Sequence, residues 1–133
     1  MAENTFELKI ISPDTMFYEG KAEFLEFTAT TGEMGVYAQH VPTTVILEPC
    51  VMRIHQNGEL KKAAIMGGFV EILKERITVM AEDAQWPDSI DVERAKKAEE
   101  RARKRLADRE SDMDVKRAEM ALKRSIARIE TTR

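Results

Sequence analysis

The sequence predicts an α+β protein: an antiparallel β-module followed by an antiparallel two-helix hairpin. Three observations carry that expectation. Every glycine, proline and aromatic residue lies at or before Pro87, and none occurs from Asp88 to Arg133. Before Pro87 the apolar residues fall in short runs, some alternating with period two, as half-buried strands require. Beyond it they recur at spacings of three and four, which places them on one face of a helix. The boundaries are therefore 1–87 for the β-module and 88–133 for the helical arm.

Phe6-Glu7-Leu8-Lys9-Ile10 alternates strictly and stops at Ser12-Pro13-Asp14, a strand bounded by a turn. Further strands are expected at Met16–Tyr18, Glu23–Thr28, Val45–Leu47, Met52–Gln56, Leu60–Met66, Phe69–Leu73 and Arg76–Ala81. Asn57-Gly58 is a two-residue hairpin signal, because both residues tolerate positive φ. Lys74-Glu75 marks a second tight connection, and Gly67-Gly68 a bulge or a close backbone approach. The stretch from Gly32 to Pro42, with His40, reads as a turn-rich loop, either a plain connection or a docking loop. Short strands punctuated this way favour a sandwich or flattened barrel. Its expected core is Phe6, Leu8, Ile10, Phe24, Phe27, Val45, Ile54, Ile65, Phe69, Ile72, Ile77 and Val79.

After Trp86-Pro87, Asp88 or Ser89 can cap a helix that runs to about Asp108, with Asp91 and Glu93 placed against its dipole. Ala95, Ala98, Ala102 and Leu106 form its apolar stripe. A polar break, Arg109-Glu110-Ser111-Asp112, precedes a second helix from about Met113 to Ile129, striped by Val115, Ala118, Leu122, Ile126 and Ile129. So short a break makes the helices antiparallel neighbours. An alanine methyl contributes roughly 0.8 kcal/mol on burial, against about 1.5–3 kcal/mol for leucine or isoleucine. The hairpin is therefore expected to be held weakly, within reach of a modest ligand or partner energy.

The formal charge of −3 conceals an asymmetry. The β-module holds 13 acids and 7 bases, and the arm 11 acids and 14 bases, so the arm is net basic. That favours an anionic target, although mixed charge on an exposed helix also arises from solvated ion pairs. Cys50 is the single cysteine, which excludes an intrachain disulfide and suits a reducing compartment. No apolar run reaches the roughly 20 residues that span a bilayer, and Met1-Ala2-Glu3-Asn4 lacks signal-peptide features. The expected location is the cytosol, or a membrane machine reached through partners. The phosphate loop G-x-x-x-x-G-K-[ST] is absent, as is a G-x-G-x-x-G opening a helix. His40 and His55 are isolated and cannot build a zinc site with one cysteine. No nucleophile–base spacing stands out, so the sequence points away from self-contained catalysis.

Four arginines form the one constellation with chemistry. Arg94 and Arg101 are seven apart on the first helix, and Arg124 and Arg128 are four apart on the second. Their distances from the break let all four guanidiniums converge in an antiparallel pair. Forked donors that repel one another call for a polyphosphate-like anion. The alternative is that Arg94 and Arg101 pair with glutamates on their own helix. A nucleic-acid role for the basic helices is disfavoured by few aromatics and by interspersed acids.

Taken in order, the motifs resemble the epsilon subunit of bacterial F-type ATP synthase. They are Gly32-x-x-Gly35 with His40-x-Pro42, Leu47-x-Pro49, Gly67-Gly68-Phe69-Val70-Glu71 and Ile90-Asp91-x-x-Arg94-Ala95, with helical pieces at Ala95–Leu106 and Arg117–Arg124. The resemblance covers nearly the whole chain. Cys50 departs from it where the family usually has glycine. It implies a β-sandwich of about ten strands and a C-terminal helical hairpin. It also implies a non-catalytic rotor subunit in the central stalk, peripheral to the cytoplasmic face of the cell membrane, coupling proton flow to ATP synthesis. The implied partners are the gamma subunit and the c-ring for the sandwich, and the alpha/beta catalytic head for the extended hairpin. By position, Glu33 resembles the ring-contacting turn, and His40 lies in the region near gamma. The hairpin would restrain ATP hydrolysis, with ATP as a regulatory ligand and no required cofactor. Residue by residue, Ile90, Asp91 and Ala95 would lie around adenine, and Arg94, Arg101, Arg124 and Arg128 around the phosphates. Gln85 stands where the ATP-binding members have glutamate. A free-standing nucleotide sensor outside any synthase is the alternative function.

Overall fold

The computed structural model describes residues 4–108 and 112–133. The expected hairpin break at Arg109-Glu110-Ser111 lies outside the described residues. Eight strands precede two helices. The strands are β1 (Phe6–Ser12), β2 (Thr15–Ala22), β3 (Phe24–Ala29), β4 (Gly32–Tyr37), β5 (Thr43–Gln56), β6 (Glu59–Ile72), β7 (Arg76–Ala81) and β8 (Ala84–Gln85). The helices are α1 (Val92–Asp108) and α2 (Asp112–Thr131). Hydrogen-bonded neighbours run β2-β1-β7-β6-β5-β3-β4, with β8 on β6. Pairing is antiparallel except between β1 and β7, which are parallel.

The two long strands join the layers of the sandwich. Beyond Gly68, β6 pairs with β7, whereas Ala64 and Ile65 pair with β8. At the far end of β5, Arg53, Ile54 and His55 pair with β3. Side-chain alternation shifts phase midway along both strands. On β6 the core receives Val70 and Ile72, then Ile65 and Ala63; on β5 it receives Leu47, then Cys50, Met52 and Ile54. The shift falls where Leu47 faces Gly68 and Pro49 faces Met66. Gly68 has φ 121°, and a Cβ there would sit 2.0 Å from the Met80 carbonyl oxygen, so only glycine lets β7 approach. Val45–Leu47 with Met52–Gln56, and Leu60–Met66 with Phe69–Leu73, are thus one strand each rather than two. Gly67-Gly68 is the close backbone approach that the sequence offered as one reading, and with Pro49 opposite Met66 it carries the chain from one layer to the other.

Asn57 and Gly58 adopt φ 51° and 77°, the hairpin turn the dipeptide predicts. The core matches expectation at Phe6, Leu8, Ile10, Phe27, Ile54, Ile65, Ile72, Ile77 and Val79. Three expected members differ. Phe69 is 45% exposed because Val70 takes the inward position. Phe24 is half-buried and stacks on Tyr37 at 4.3 Å, while Leu25 points inward. Val45 packs on the core margin. The segment expected as a loop from Gly32 to Pro42 contains β4, paired along β3 from Phe24↔Tyr37 to Ala29↔Gly32. Glu33 lies on that strand and is exposed, and His40 follows in the turn beyond it. Cys50 is buried and free, and burial pushes its thiol above the ordinary range.

Candidate functional site

The path from sheet to hairpin sets the site. Trp86 stacks on Phe17 at 4.4 Å and meets Tyr18 edge-on at 6.0 Å, which anchors the end of the β-module. Pro87–Ser89 then forms a single 3-10 turn. Neither Asp88 nor Ser89 caps α1. Asp91 does: its Oδ1 accepts from the Arg94 N–H at 3.1 Å, and its carbonyl from the Ala95 N–H at 3.0 Å. The 3-10 turn takes up Pro87–Ser89 and Ile90 ends it, so the helix begins later than the sequence suggested.

Ala95 and Ala102 on α1 and Ala118 on α2 are buried, as the alanine stripe predicts. α2 packs on β5 and β6, and a cluster of Ala64, Met66, Ile90 and Ala127, with Val92 at its edge, fills the side toward β6. Polar ties frame this patch. Lys123 Nζ lies 3.3 Å from a Glu48 carboxylate oxygen, and Lys62 Nζ donates to the Arg133 carbonyl at 3.1 Å. The docked contact is small, with no aromatic in it.

A cavity of about 380 Å³ opens where α1, α2 and the end of the sheet meet. Arg94 and Arg101 enter from α1 and Arg128 from α2, over a floor that includes Ala95 and Ala98. Gln85, Ser89 and Asp91 form the side toward the sheet. Arg128 Nε donates to Gln85 Oε1 at 2.8 Å, and its Nη2 lies 3.8 Å from Asp83 Oδ2. Burial pushes the Arg128 guanidinium below its ordinary pKa; Asp83 opposes that shift, and the charges of Arg124 and Arg94 reinforce it. The ion pairs along α1 are Lys96–Glu93 and Arg103–Glu99. Among the described residues Arg94 and Arg101 make no salt bridge with a glutamate of their own helix. Residues three and four away from Arg101 are Lys97, Ala98, Lys104 and Arg105, so it has no acid within helical reach.

Of the proposed nucleotide residues, the cavity unites Asp91, Arg94, Ala95, Arg101 and Arg128. Ile90 and Arg124 do not line it. Ile90 is buried in the patch between sheet and α2, and Arg124 acts on Arg128 through its charge. Glu33 and His40 belong to β4 and the turn beyond it, not to this site. Ala98, Ser89 and Asp83 were not singled out as site residues. Ala98 was legible as the next turn of the α1 stripe; nothing local marks Asp83 as a neighbour of α2. A hollow of about 600 Å³ at the far strand ends sets Glu7 and Glu75 against Lys21, Lys74 and Arg76, a mixed wall with one more base than acid. Among the described residues no group of His, Cys, Asp and Glu could hold a metal ion.

Known proteins resemble the chain along nearly its whole length. The ATP synthase, Delta/Epsilon chain, beta-sandwich domain matches residues 5–87, and the corresponding long alpha-helix domain matches residues 88–133. The ATP synthase epsilon chain of Caldanaerobacter subterraneus is 38% identical over 96% of this chain and 93% of its own. That of Bacillus cytotoxicus is also 38% identical, over 96% of each chain. That of Desulfitobacterium hafniense is 40% identical over 97% of each. A chain in the mitochondrial ATP synthase of Euglena gracilis shares the fold, with TM-score 0.83 at 23% identity over 96% of this chain and 80% of that one. Two modules matched in order, with relatives of this identity across nearly the full length, place the chain in the ATP synthase delta/epsilon family, among its bacterial epsilon chains.

Proposed function

We propose that the chain is the non-catalytic central-stalk subunit of a bacterial F-type ATP synthase, with a hairpin that senses ATP. In this reading the sandwich docks on the gamma subunit and the c-ring at the cytoplasmic face of the cell membrane. The hairpin, docked on the sandwich, permits hydrolysis; released, it reaches the alpha/beta catalytic head and restrains it. The rotor role is supported by family membership and by likeness to a chain in the central stalk and c-ring assembly of Tetrahymena thermophila, with TM-score 0.63.

The observation that carries the sensor is the meeting of Arg94, Arg101 and Arg128, from two helices, in one cavity bordered by Gln85 of the sheet. A polyphosphate there would bridge α1 to α2 and hold both beside β8, with charge-assisted, forked donors suited to phosphate oxygens. A ligand that binds only the docked hairpin stabilises it by RT ln(1 + [L]/Kd), about 2.7 kcal/mol at a hundredfold excess over Kd. That is comparable with burial of one large side chain such as Met66 or Ile90, a substantial share of the apolar energy in the docked patch. ATP at millimolar concentration is expected to raise hydrogen-exchange protection throughout α1 and α2 of the isolated chain. Arg94→Ala combined with Arg128→Ala is expected to abolish the increase. Unchanged exchange in the unsubstituted chain would remove the sensor and leave the stalk role. Recovery of gamma and the catalytic subunits from membranes with the tagged chain tests that role separately.

A further inference from the structure

We propose that Asp83 is a built-in stand-in for the ligand anion: its carboxylate occupies Arg128 when the cavity is empty and is displaced when a phosphate binds. The proposal rests on the nucleotide reading above and assigns its regulation to a residue outside the cavity wall. Asp83 sits on the short connection between β7 and β8, and its carbonyl accepts from the Met66 N–H at 2.9 Å, so its backbone is tied to β6. From there Oδ2 lies 3.8 Å from Arg128 Nη2, while Gln85 Oε1 accepts from the Arg128 Nε–H at 2.8 Å. Arg128 is thus held to the sheet by one charged and one neutral acceptor. The neutral bond leaves the guanidinium's positive charge uncompensated. Asp83 is therefore the charge partner of Arg128.

The other acid at the cavity, Asp91, turns Oδ1 to the Arg94 N–H at the start of α1, whereas the ion pair of Arg128 is with Asp83. Three guanidiniums therefore share the cavity, and Asp83 balances the one on α2. The 3.8 Å separation is longer than a charge-assisted hydrogen bond, and 58% of the Asp83 side chain remains in water. Such a pair is weak enough to yield to a multiply charged anion, yet near enough to hold α2 on the sheet in its absence.

Thermodynamics separates a stand-in from a permanent brace. A permanent brace stabilises empty and occupied states alike, so removing it leaves affinity unchanged, or lowers it if the hairpin then undocks. A stand-in stabilises only the empty state and repels the arriving phosphate, so removing its charge raises affinity. The experiment is ATP titration by calorimetry of the full chain and of Asp83→Asn, with hydrogen exchange of both in the absence of ATP. Asn keeps the side-chain size and the backbone bond to Met66, and the thermal transition of the sandwich checks that the fold is intact. Asp83→Asn is expected to tighten ATP binding by about two- to fivefold, the range for a partly exposed ion pair. It is also expected to lower α2 protection near Ala127–Thr131 when no ATP is present. Unchanged or weaker binding by the variant, with the unsubstituted chain binding normally, would overturn this inference and leave the nucleotide reading in place. Absence of ATP binding by both chains at millimolar concentration would overturn the two together.

Discussion

Inside the sandwich, 19 described buried side chains join into one cluster rich in phenylalanine, leucine, isoleucine and valine. The cluster between the sheet and α2 has four, Ala64, Met66, Ile90 and Ala127, two of them alanines, beside the buried Ser125, Ile129 and Thr131 of α2. Both contacts use β6, through opposite faces of the same strand: Ala63 and Ile65 face the core, and Ala64 and Met66 face the helix. One strand therefore supports a fixed module on one side and a releasable one on the other. The difference lies in side-chain size and in how many elements close around each face.

The largest effect expected from this contrast is at Ile54, which is fully buried in the core. Ile54→Ala is expected to cost about 2–5 kcal/mol, because the surrounding strands cannot collapse around the lost atoms. Chemical denaturation should show sandwich and hairpin signals lost together, since the hairpin has no other support. Met66→Ala tests the opposite face. It is expected to remove roughly 2 kcal/mol from hairpin docking, from the apolar atoms lost, while the sandwich midpoint stays near its original value. Hydrogen exchange read separately for α2 and for β6–β7 checks this. A common loss of protection in both would show one cooperative unit and end the contrast.

The sequence made the fixed half legible wherever alternation was uninterrupted: β1, the Asn57-Gly58 hairpin and β7 stand close to where the pattern put them. It misled where one strand serves two layers. The expected strands stop at Leu47 and Met66 and resume at Met52 and Phe69, but in between β5 and β6 exchange their inward faces, and that geometry belongs to the pair of strands rather than to either alone. β4 was hidden for a different reason. Gly35 interrupts its pattern, and a Cβ there would lie 2.6 Å from the Phe24 ring, so the gap is filled from the neighbouring strand. At the site, the arginines were legible because helical spacing places i and i+7 on one face, and a short break fixes the antiparallel register. Asp83 was not, since its meeting with Arg128 depends on how α2 lies across the sheet. Ile90 carries an apolar side chain beside a polar cavity, and docking sends it to the apolar patch instead.

The smallest effect expected concerns where α1 begins. Asp91 satisfies the Arg94 N–H through its side chain, whereas the turn before it, Pro87–Ser89, is closed by backbone bonds from Ser89 N to Trp86 O and from Ile90 N to Pro87 O. Asp91→Ala is therefore expected to cost about 1 kcal/mol, felt in the first turn of α1, and Asp88→Ala close to nothing. The loss carries to the cavity because Arg94 projects from that same turn, so a frayed α1 terminus disperses one of the three guanidiniums. The measurement is exchange at the amides of Arg94 and Ala95, with Asp88→Ala as the reference. Equal effects of the two substitutions would show that the helix starts at the 3-10 turn. The hinge between the fixed and releasable halves would then lie three residues earlier than the hydrogen bonds indicate.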